Sequence, residues 1–523
     1  MYILRSFILY TFLLVSSNIC AQDSLSTSTA VTYDLTTEAA VGTGSYTAYQ
    51  LVTNRHHVLA TRPNTAYMRG AVNVEQLLGK DWKLSGTVDM IASVHADHKT
   101  YLQQCFANLS WKNFFLEAGS RELPPVLRNE LLSVGHFAKG INAKPVPQVH
   151  IGTNGFWTVP YTKGWLRIHF DGGYGKLMDN KYREEAFINQ PKATPPAANS
   201  PATNSPAVDG FPVDNTRYSN GAFYHQKNLY LRSNSDKPIY LTVGIEHVAF
   251  FGGTSWYRTK DGLVSKSKPA NLKAFLQVIL PLGDSNYFEN DAMEDWVYGN
   301  HLGSMTAQLS WNIDKHHLLQ AYLDNPFEDG SGIRKSNGMD GLWGIEYTNK
   351  APTPQLVRGA VVEYFQSTNQ SGPLHWDPND YPEPIRSLVR DKATGNDNYY
   401  NHMFYGSYDH YGMAFGTALI TSPIYNKNGS NTFDDNRVKA WHVAVNGEIT
   451  NHLSYLVKGS YREGWGTYSF PVPTRNHSFD AMLQGIYQLG PWQFSGAYAF
   501  DKGNIYGDCS TFNIKIHYHG KIL

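Results

Sequence analysis

Apolar and polar residues alternate with a period of two through most of this chain. In Trp82–Met90 one face carries Trp82, Leu84, Gly86, Val88 and Met90, and the other Lys83, Ser85, Thr87 and Asp89. Trp441, Val443, Val445, Gly447 and Ile449 alternate in the same way with His442, Ala444, Asn446 and Glu448. Leu453–Arg462, Trp492–Phe500 and the closing Ile514, Ile516, Tyr518 repeat the pattern. Successive strand residues point to opposite faces, so each segment predicts a strand with one apolar and one polar side. A soluble sandwich would show the same alternation.

Length and spacing separate the two possibilities. The segments run to about 9–11 residues, the length of a tilted strand crossing a bilayer, whereas soluble strands average about 5–6. Tight turns are expected at Lys112-Asn113, Ser233–Lys237, Asp314–His317, Asn349–Pro352, Thr450–His452 and Leu489–Pro491. Long polar connections are expected at Gly175–Gly221, Phe251–His301, Asp324–Gly341, Gln366–Tyr411 and Glu463–Ser478. Short turns at one end and long loops at the other are the asymmetry of an outer-membrane barrel. The fold expected is therefore all-β: a transmembrane antiparallel β-barrel of about 16–18 strands with long extracellular loops. Two regions look less strand-like, Gln22–Gly44 and Pro124–Gly140. In the second, Val126, Leu127, Leu131, Leu132 and Val134 suggest a short helix capping or plugging the barrel.

Composition sharpens this picture. Tyr 34, Phe 25 and Trp 12 bring the aromatic share to 14% while the hydrophobic total is only 41%, and mean hydropathy is −0.40. A barrel with aromatic girdles and a polar interior has that balance. After the N-terminal segment, no apolar run is long enough for a membrane helix. Met1–Arg5 followed by the apolar stretch Phe7–Val15 reads as a secretory signal peptide, residues 1–21, cleaved after Ala21. Cys20 raises a lipoprotein site, but Ile19 precedes it where a small residue is usual. Residues 22–523 then form one barrel domain. Pro191–Pro212 is a Pro/Ala/Ser/Asn low-complexity loop insertion, solvated and polyproline-like. The 44 basic and 44 acidic residues cancel, and without a Lys/Arg run nucleic acid is not an expected partner. Cys105 and Cys509 can pair only if the barrel brings them together.

Candidate chemistry is sparse. Glu246, Glu346, Asp171, Asp324 and Glu328 are the carboxylates a glycosidase would draw on. Asp89, Glu246, Glu448, Lys458 and Arg462 read instead as paired charges of a wet lumen. His56-His57 and His316-His317 are adjacent pairs that a strand would point in opposite directions, so no metal is expected, and no motif calls for a cofactor. Aromatic loop residues are the better clue to binding, since sugars stack on Trp and Tyr while Asn and Asp bond their hydroxyls. Trp256, Tyr257, Trp296, Tyr298, Trp376, Asn398, Tyr399 and Tyr400 are the candidates, with a lipid-interface girdle as the alternative for each.

Several short stretches resemble the capsule assembly Wzi family. They are Leu51–His56, Val146–Gly152, Asp171–Tyr182, Tyr224–Arg232, Gly244–His247 with Phe251–Gly253, Gly299–Gly303, Asp340–Tyr347, Gly395–Asn401 and Asn436–Trp441. The resemblance implies a barrel of about 18 strands in the outer membrane of a Gram-negative bacterium, with a helical element on the periplasmic side. It implies loops that retain capsular polysaccharide, so the function expected is a lectin-like anchor that holds or helps assemble surface polysaccharide. Its expected partners are that polysaccharide and outer-membrane lipid, the chain is expected to be monomeric, and with no motif that concentrates carboxylates no enzymatic activity is expected. One departure from outer-membrane barrels is the C-terminus, Ile522-Leu523, where a terminal aromatic is usual. A porin or solute channel is the alternative function. An anchor tolerates a plugged lumen, which a channel does not.

Overall fold

The computed structural model describes residues 28–96, 98–189, 217–259, 262–280, 298–328, 330–333, 335, 337–370, 397–402, 405–427, 429–467 and 471–523. The expected signal peptide and the Pro191–Pro212 insertion lie outside them.

The chain forms a closed antiparallel barrel of 18 strands. The first nine are β1 Thr29–Thr43, β2 Thr65–Leu78, β3 Trp82–Val94, β4 Thr100–Trp111, β5 Phe114–Ser120, β6 Gln148–Thr153, β7 Leu166–Lys176, β8 Phe223–Ser233 and β9 Ile239–Phe251. The others are β10 Asn300–Asn312, β11 His317–Phe327, β12 Gly341–Asn349, β13 Gly359–Gln366, β14 Val438–Glu448, β15 Leu453–Gly466, β16 Pro471–Leu489, β17 Trp492–Gly503 and β18 Cys509–Lys521. Each strand pairs with its sequence neighbour, and β18 closes on β1 from Thr32↔Lys521 to Thr43↔Ser510. Closure leaves no free edge. The Ile522 and Val31 backbones also bond across the seam (2.8 Å).

The outward register is apolar, as expected. Leu84, Val88, Leu241, Val243, Trp441, Val443, Leu483 and Ile514 stand exposed on the outer wall. Aromatic rings concentrate towards both rims. Trp82 and Trp111 (6.1 Å) and Trp492 and Tyr518 (4.7 Å) pack near the short turns, and Tyr364 and Trp441 (4.9 Å) at the other end. An apolar belt between two girdles is a lipid-facing surface.

Three expectations change. Gln22–Gly44 contains β1, not a non-strand cap. Its outward register reads Tyr33, Leu35, Thr37, Ala39, Val41, and Thr and Ala blunt the alternation although Thr favours strands. Glu463–Ser478 is not a long loop, because β15 and β16 extend past the belt and leave only 467–470 between them. Pro124–Gly140 contains no helix, and the helical element is not at the short-turn end. The described α-helices, α1 Tyr49–Val52, α2 Asn180–Asn189, α3 Leu272–Ile279 and α4 Gly330–Ile333, and a 3-10 turn at Pro423–Tyr425 all belong to connections at the long-loop end. The apolar spacing in 124–140 arises because the segment crosses the lumen and touches several walls in turn. Cys105 and Cys509 are free thiols: although β1 and β18 meet, Cys105 is on β4.

Candidate functional site

Three long-loop segments fold back into the barrel: residues 45–61, 124–147 and the described part of 397–437. Leu51, Val52, Leu59, Leu132, Val134, Phe137, Tyr399, Tyr400, Met413, Leu419 and Ile420 join inward wall residues such as Ile91, Phe250, Leu342 and Phe365 in one buried cluster. The lumen is therefore packed like a domain core over much of its height. A backbone buried this way must find hydrogen-bond partners outside regular structure, and the wall and other loops supply them. Tyr400 and Tyr408 donate their hydroxyls to the Phe137 and Ala138 carbonyls. His442 of β14 bonds the Leu132 carbonyl through Nε2 (2.8 Å). Gly416 is required where it stands, because a Cβ would collide with the Phe137 carbonyl and the Tyr400 hydroxyl.

Ion pairs fasten this plug to the wall. Arg128, fully buried, donates to Asp324 of β11 (2.6 Å), and its guanidinium lies 3.8 Å from the Tyr322 ring centroid. His136 bonds the other Asp324 oxygen (2.9 Å) and approaches Glu246 of β9 (3.5 Å). Ser133 and the Val134 amide donate to Glu363 of β13 (2.6 and 2.9 Å), and Asn129 donates to Glu346 of β12 (3.2 Å). Further round the wall, on β17, Asp501 accepts from the Tyr49 amide (3.0 Å). Arg462 pairs with Asp480 (2.9 Å) beneath the Tyr49 and Tyr506 rings.

Most of the carboxylates considered for glycoside chemistry fall in these contacts. Asp324 is occupied by Arg128, Thr306 and His136, Glu328 accepts the Tyr400 amide (3.2 Å), and Asp171 faces Lys139 (3.8 Å). Asp89 with Arg69 (2.5 Å), Glu448 with Arg358 (2.5 Å) and Arg462 with Asp480 are the expected internal pairs. At the short-turn end a polar cavity of about 410 Å³ remains, lined by Asp81, Lys83, Ser85, Asn108, Ser110, Lys112, Arg121 and Asn154.

The six aromatic and Asn candidates among the described residues do not form one site. Tyr399 and Tyr400 are buried against Phe137, with ring centroids 5.1 Å away in each case. They carry the plug and present no face to solvent. Asn398 is half-buried and accepts from Asn436 (2.6 Å), which also bonds the Tyr399 carbonyl (2.7 Å). Tyr298 is buried on the outer wall, its hydroxyl donating to the Pro269 carbonyl. Trp296 and Trp376 lie outside the described residues.

Trp256 and Tyr257 sit elsewhere, in a three-stranded sheet of Arg217–Asn220, Thr254–Thr259 and Gly262–Ser267, separate from the barrel sheet. Trp256 is half-buried and stacks on Tyr218 (6.2 Å, 10° between planes). The Tyr257 backbone pairs with Val264. The outer strand of this apron, Gly262–Ser267, is exposed along its whole length. Helix α2 supports it through Phe187, 4.7 Å from the Tyr218 ring, and is tied to the plug through Arg183. That guanidinium pairs with Asp179 (2.9 Å) and donates to the Asp409 carbonyl (2.5 Å). Burial pushes the Asp409 carboxyl up to about 6 in spite of Arg183. Asp179 is also buried, but Arg183 holds it below the ordinary carboxylate range. The plug partners Arg128, His136 and Glu363 went unnoticed because single charged residues in irregular sequence carry no local signal.

These features define a closed barrel of outer-membrane type whose lumen is occupied by its own loops. Among solved structures it is similar to Wzi of Escherichia coli, an outer-membrane protein involved in group 1 capsule assembly and a carbohydrate-binding β-barrel. The identity is 10%, covering 92% of this chain and 83% of that one, with a TM-score of 0.52. Two Pseudomonas aeruginosa barrels also align, each at 9% identity: OprD (96% and 98% covered, TM-score 0.45) and OccK5 (95% and 98%, TM-score 0.44). At these identities the likeness is one of fold. No family model and no curated protein sequence matches the chain.

Proposed function

We propose that this protein is an outer-membrane anchor of the Wzi kind, exported through the signal peptide cleaved after Ala21, which holds a surface polysaccharide at its long-loop face. The observation that carries this reading is the occupied lumen. Buried segments held to the wall by Arg128–Asp324, and on other strands by the Tyr49 amide on Asp501 and the Tyr49 ring against Arg462, suit a rigid display platform and fill the space a solute channel needs. The carbohydrate binding of the E. coli protein of like fold supports the ligand class. Binding rather than hydrolysis fits the carboxylates, of which Asp324, Glu328 and Glu346 already accept from plug groups. Of the residues that sequence reasoning selected, Trp256 and Tyr257 on the apron are the ones retained as sugar contacts. An aromatic face there would stack on a sugar ring, and a repeating polymer multiplies weak contacts through avidity.

The test is a deletion strain in which cell-associated and released polysaccharide are quantified separately. Loss of the protein should leave synthesis unchanged and move polysaccharide into the medium. A fall in total polysaccharide without a rise in the released fraction would point to export instead. Free sugar permeation in a liposome-swelling assay would favour the channel.

A further inference from the structure

Along the outer wall the apolar belt has one gap. On β9 the exposed residues Leu241, Val243 and Ile245 are followed, in the same outward register, by His247, Ala249 and Phe251, all buried. On β8 the outward Leu231 and Leu229 are followed by Lys227 and His225. On β10 His301 takes the corresponding place, its Nδ1 2.9 Å from His247 Nε2. Elsewhere the outer wall carries Trp441 or Tyr461 towards this rim. Here it carries a lysine and three histidines, side chains that would be poorly tolerated against acyl chains.

Helix α3 covers this gap. Asn271 caps its N-terminus, accepting from the Ala274 amide (3.0 Å). Lys227 closes the other end, donating to the Ile279 carbonyl, a cation placed where the helix dipole favours one. The inner face, Ala274 and Val278, packs on Ala249, Phe251 and Tyr298. Phe275 fits between Phe251 (4.9 Å) and Tyr174 (5.0 Å). The opposite face is apolar as well: Leu272, Leu276 and Leu280 are 76%, 57% and 62% exposed. Only Lys273 and Gln277, on one flank, interrupt an otherwise apolar helix. A helix apolar on two faces needs two apolar surroundings. The barrel wall supplies one, and the leucine face continues the belt of Leu241, Val243 and Ile245 upwards.

We propose that α3 lies in the outer leaflet against the barrel wall, with Leu272, Leu276 and Leu280 contacting the acyl chains of membrane lipid. The helix replaces the missing girdle over β8–β10 and keeps Lys227 and the three histidines from lipid, the geometry of an interfacial helix. The inference rests on the membrane-barrel reading, so its test carries a control for that reading.

Nitroxide labels are placed at Leu276→Cys, Leu272→Cys, the belt control Val443→Cys and the apron control Val264→Cys, each in a Cys105→Ser/Cys509→Ser background of the full mature chain. In phospholipid nanodiscs, accessibility is read with oxygen, which concentrates in acyl chains, and with a water-soluble nickel chelate. Positions 276 and 272 should follow 443, with an oxygen-to-nickel ratio several-fold above that at 264. Nickel accessibility at 276 and 272 equal to that at 264 would place the leucine face in water and overturn the proposal. Low accessibility to both relaxants would mean that protein covers it, another loop or a second copy, and would overturn it equally. Nickel accessibility at 443 would remove the membrane reading itself, and α3 with it.

Discussion

Tyr400 and Trp256 belong to connections at the same end of the barrel, in stretches of similar Gly, Asn and aromatic content, yet they end in opposite environments. Tyr400 sits at φ 72 with its ring fully enclosed. Its hydroxyl donates to the Phe137 carbonyl and accepts from the Thr417 amide (3.1 Å). Trp256 stands on a sheet whose backbone is already satisfied by its own ladder, and its ring, stacked on Tyr218, stays partly exposed. The difference is in what the neighbouring backbone lacks. Irregular chain folded into the lumen leaves carbonyls and amides that only side chains can satisfy, and its tyrosines are taken up in doing so. A loop that forms its own sheet leaves its aromatics available for a ligand.

The largest effect expected from breaking the inner region comes from Arg128→Met. It leaves Asp324 buried without its cation, a loss of about 3–5 kcal/mol. Heat-modifiable mobility on SDS gels and the denaturant midpoint should both fall sharply. The double variant Arg128→Met/Asp324→Leu should recover much of that loss, because the charge and its partner leave together. A double variant no better than the single one would mean that Arg128 acts mainly through its contact with the Tyr322 ring.

Tyr400→Ala removes a buried ring, at about 3–5 kcal/mol by analogy with Phe→Ala in cores, and Tyr400→Phe removes only the hydroxyl, at about 1 kcal/mol. Both should loosen the plug, measured as faster proteolysis of segment 397–437. Polysaccharide retention should fall only as far as stability does. Normal stability with lost retention would return Tyr400 to the binding surface. Trp256→Ala should do the reverse, leaving mobility and denaturant midpoint unchanged while weakening retention by roughly 1 kcal/mol per stacking contact. If retention is unchanged too, the apron is not the sugar-binding face.

That contrast also marks how far the fold and site were legible. The barrel was readable because each strand repeats a two-residue code with one face in lipid, as in Trp441, Val443 and Val445. β1 was hidden by Thr37 and Ala39, which satisfy the ladder without announcing a face. The plug was not readable at all. Val126 to Val134 looks helical, but Leu132 packs beside Gly359 while Arg128, six residues before Val134, reaches Asp324. Such contacts are between residues 196 apart in sequence, and nothing local encodes them. Of the binding candidates, burial divides Tyr399 and Tyr400 from Trp256.

The smallest expected effect lies at the hinge between the two regions, where α2 is tied to the plug through Arg183 and Asp409. The Asp409 carboxyl is buried, accepts from Ser407 and the Gly412 amide (2.8 Å), and is pushed up to about 6 from the ordinary value of 3.8. With the folded value above the unfolded one, the folded state holds the proton more tightly between about pH 4 and 6. The anchorage is therefore fully present at low pH and weakens as pH rises through about 6. Asp179 runs the other way: Arg183 holds its carboxylate ionised, so its contribution is lost only in acid, below the ordinary carboxylate range. Asp409→Asn keeps an acceptor for the Gly412 amide and abolishes the titration. Limited proteolysis of 405–427 at pH 5 and pH 7.5 should show the wild type opening more readily at the higher pH and the variant changing less. The difference should be roughly two- to three-fold in rate, below the limit set by about 1.4 kcal/mol per pKa unit, because Asp179 and Arg183 readjust around the proton. Equal pH dependence in the two proteins would show that Asp409 is already ionised and fully paired with Arg183 at pH 5.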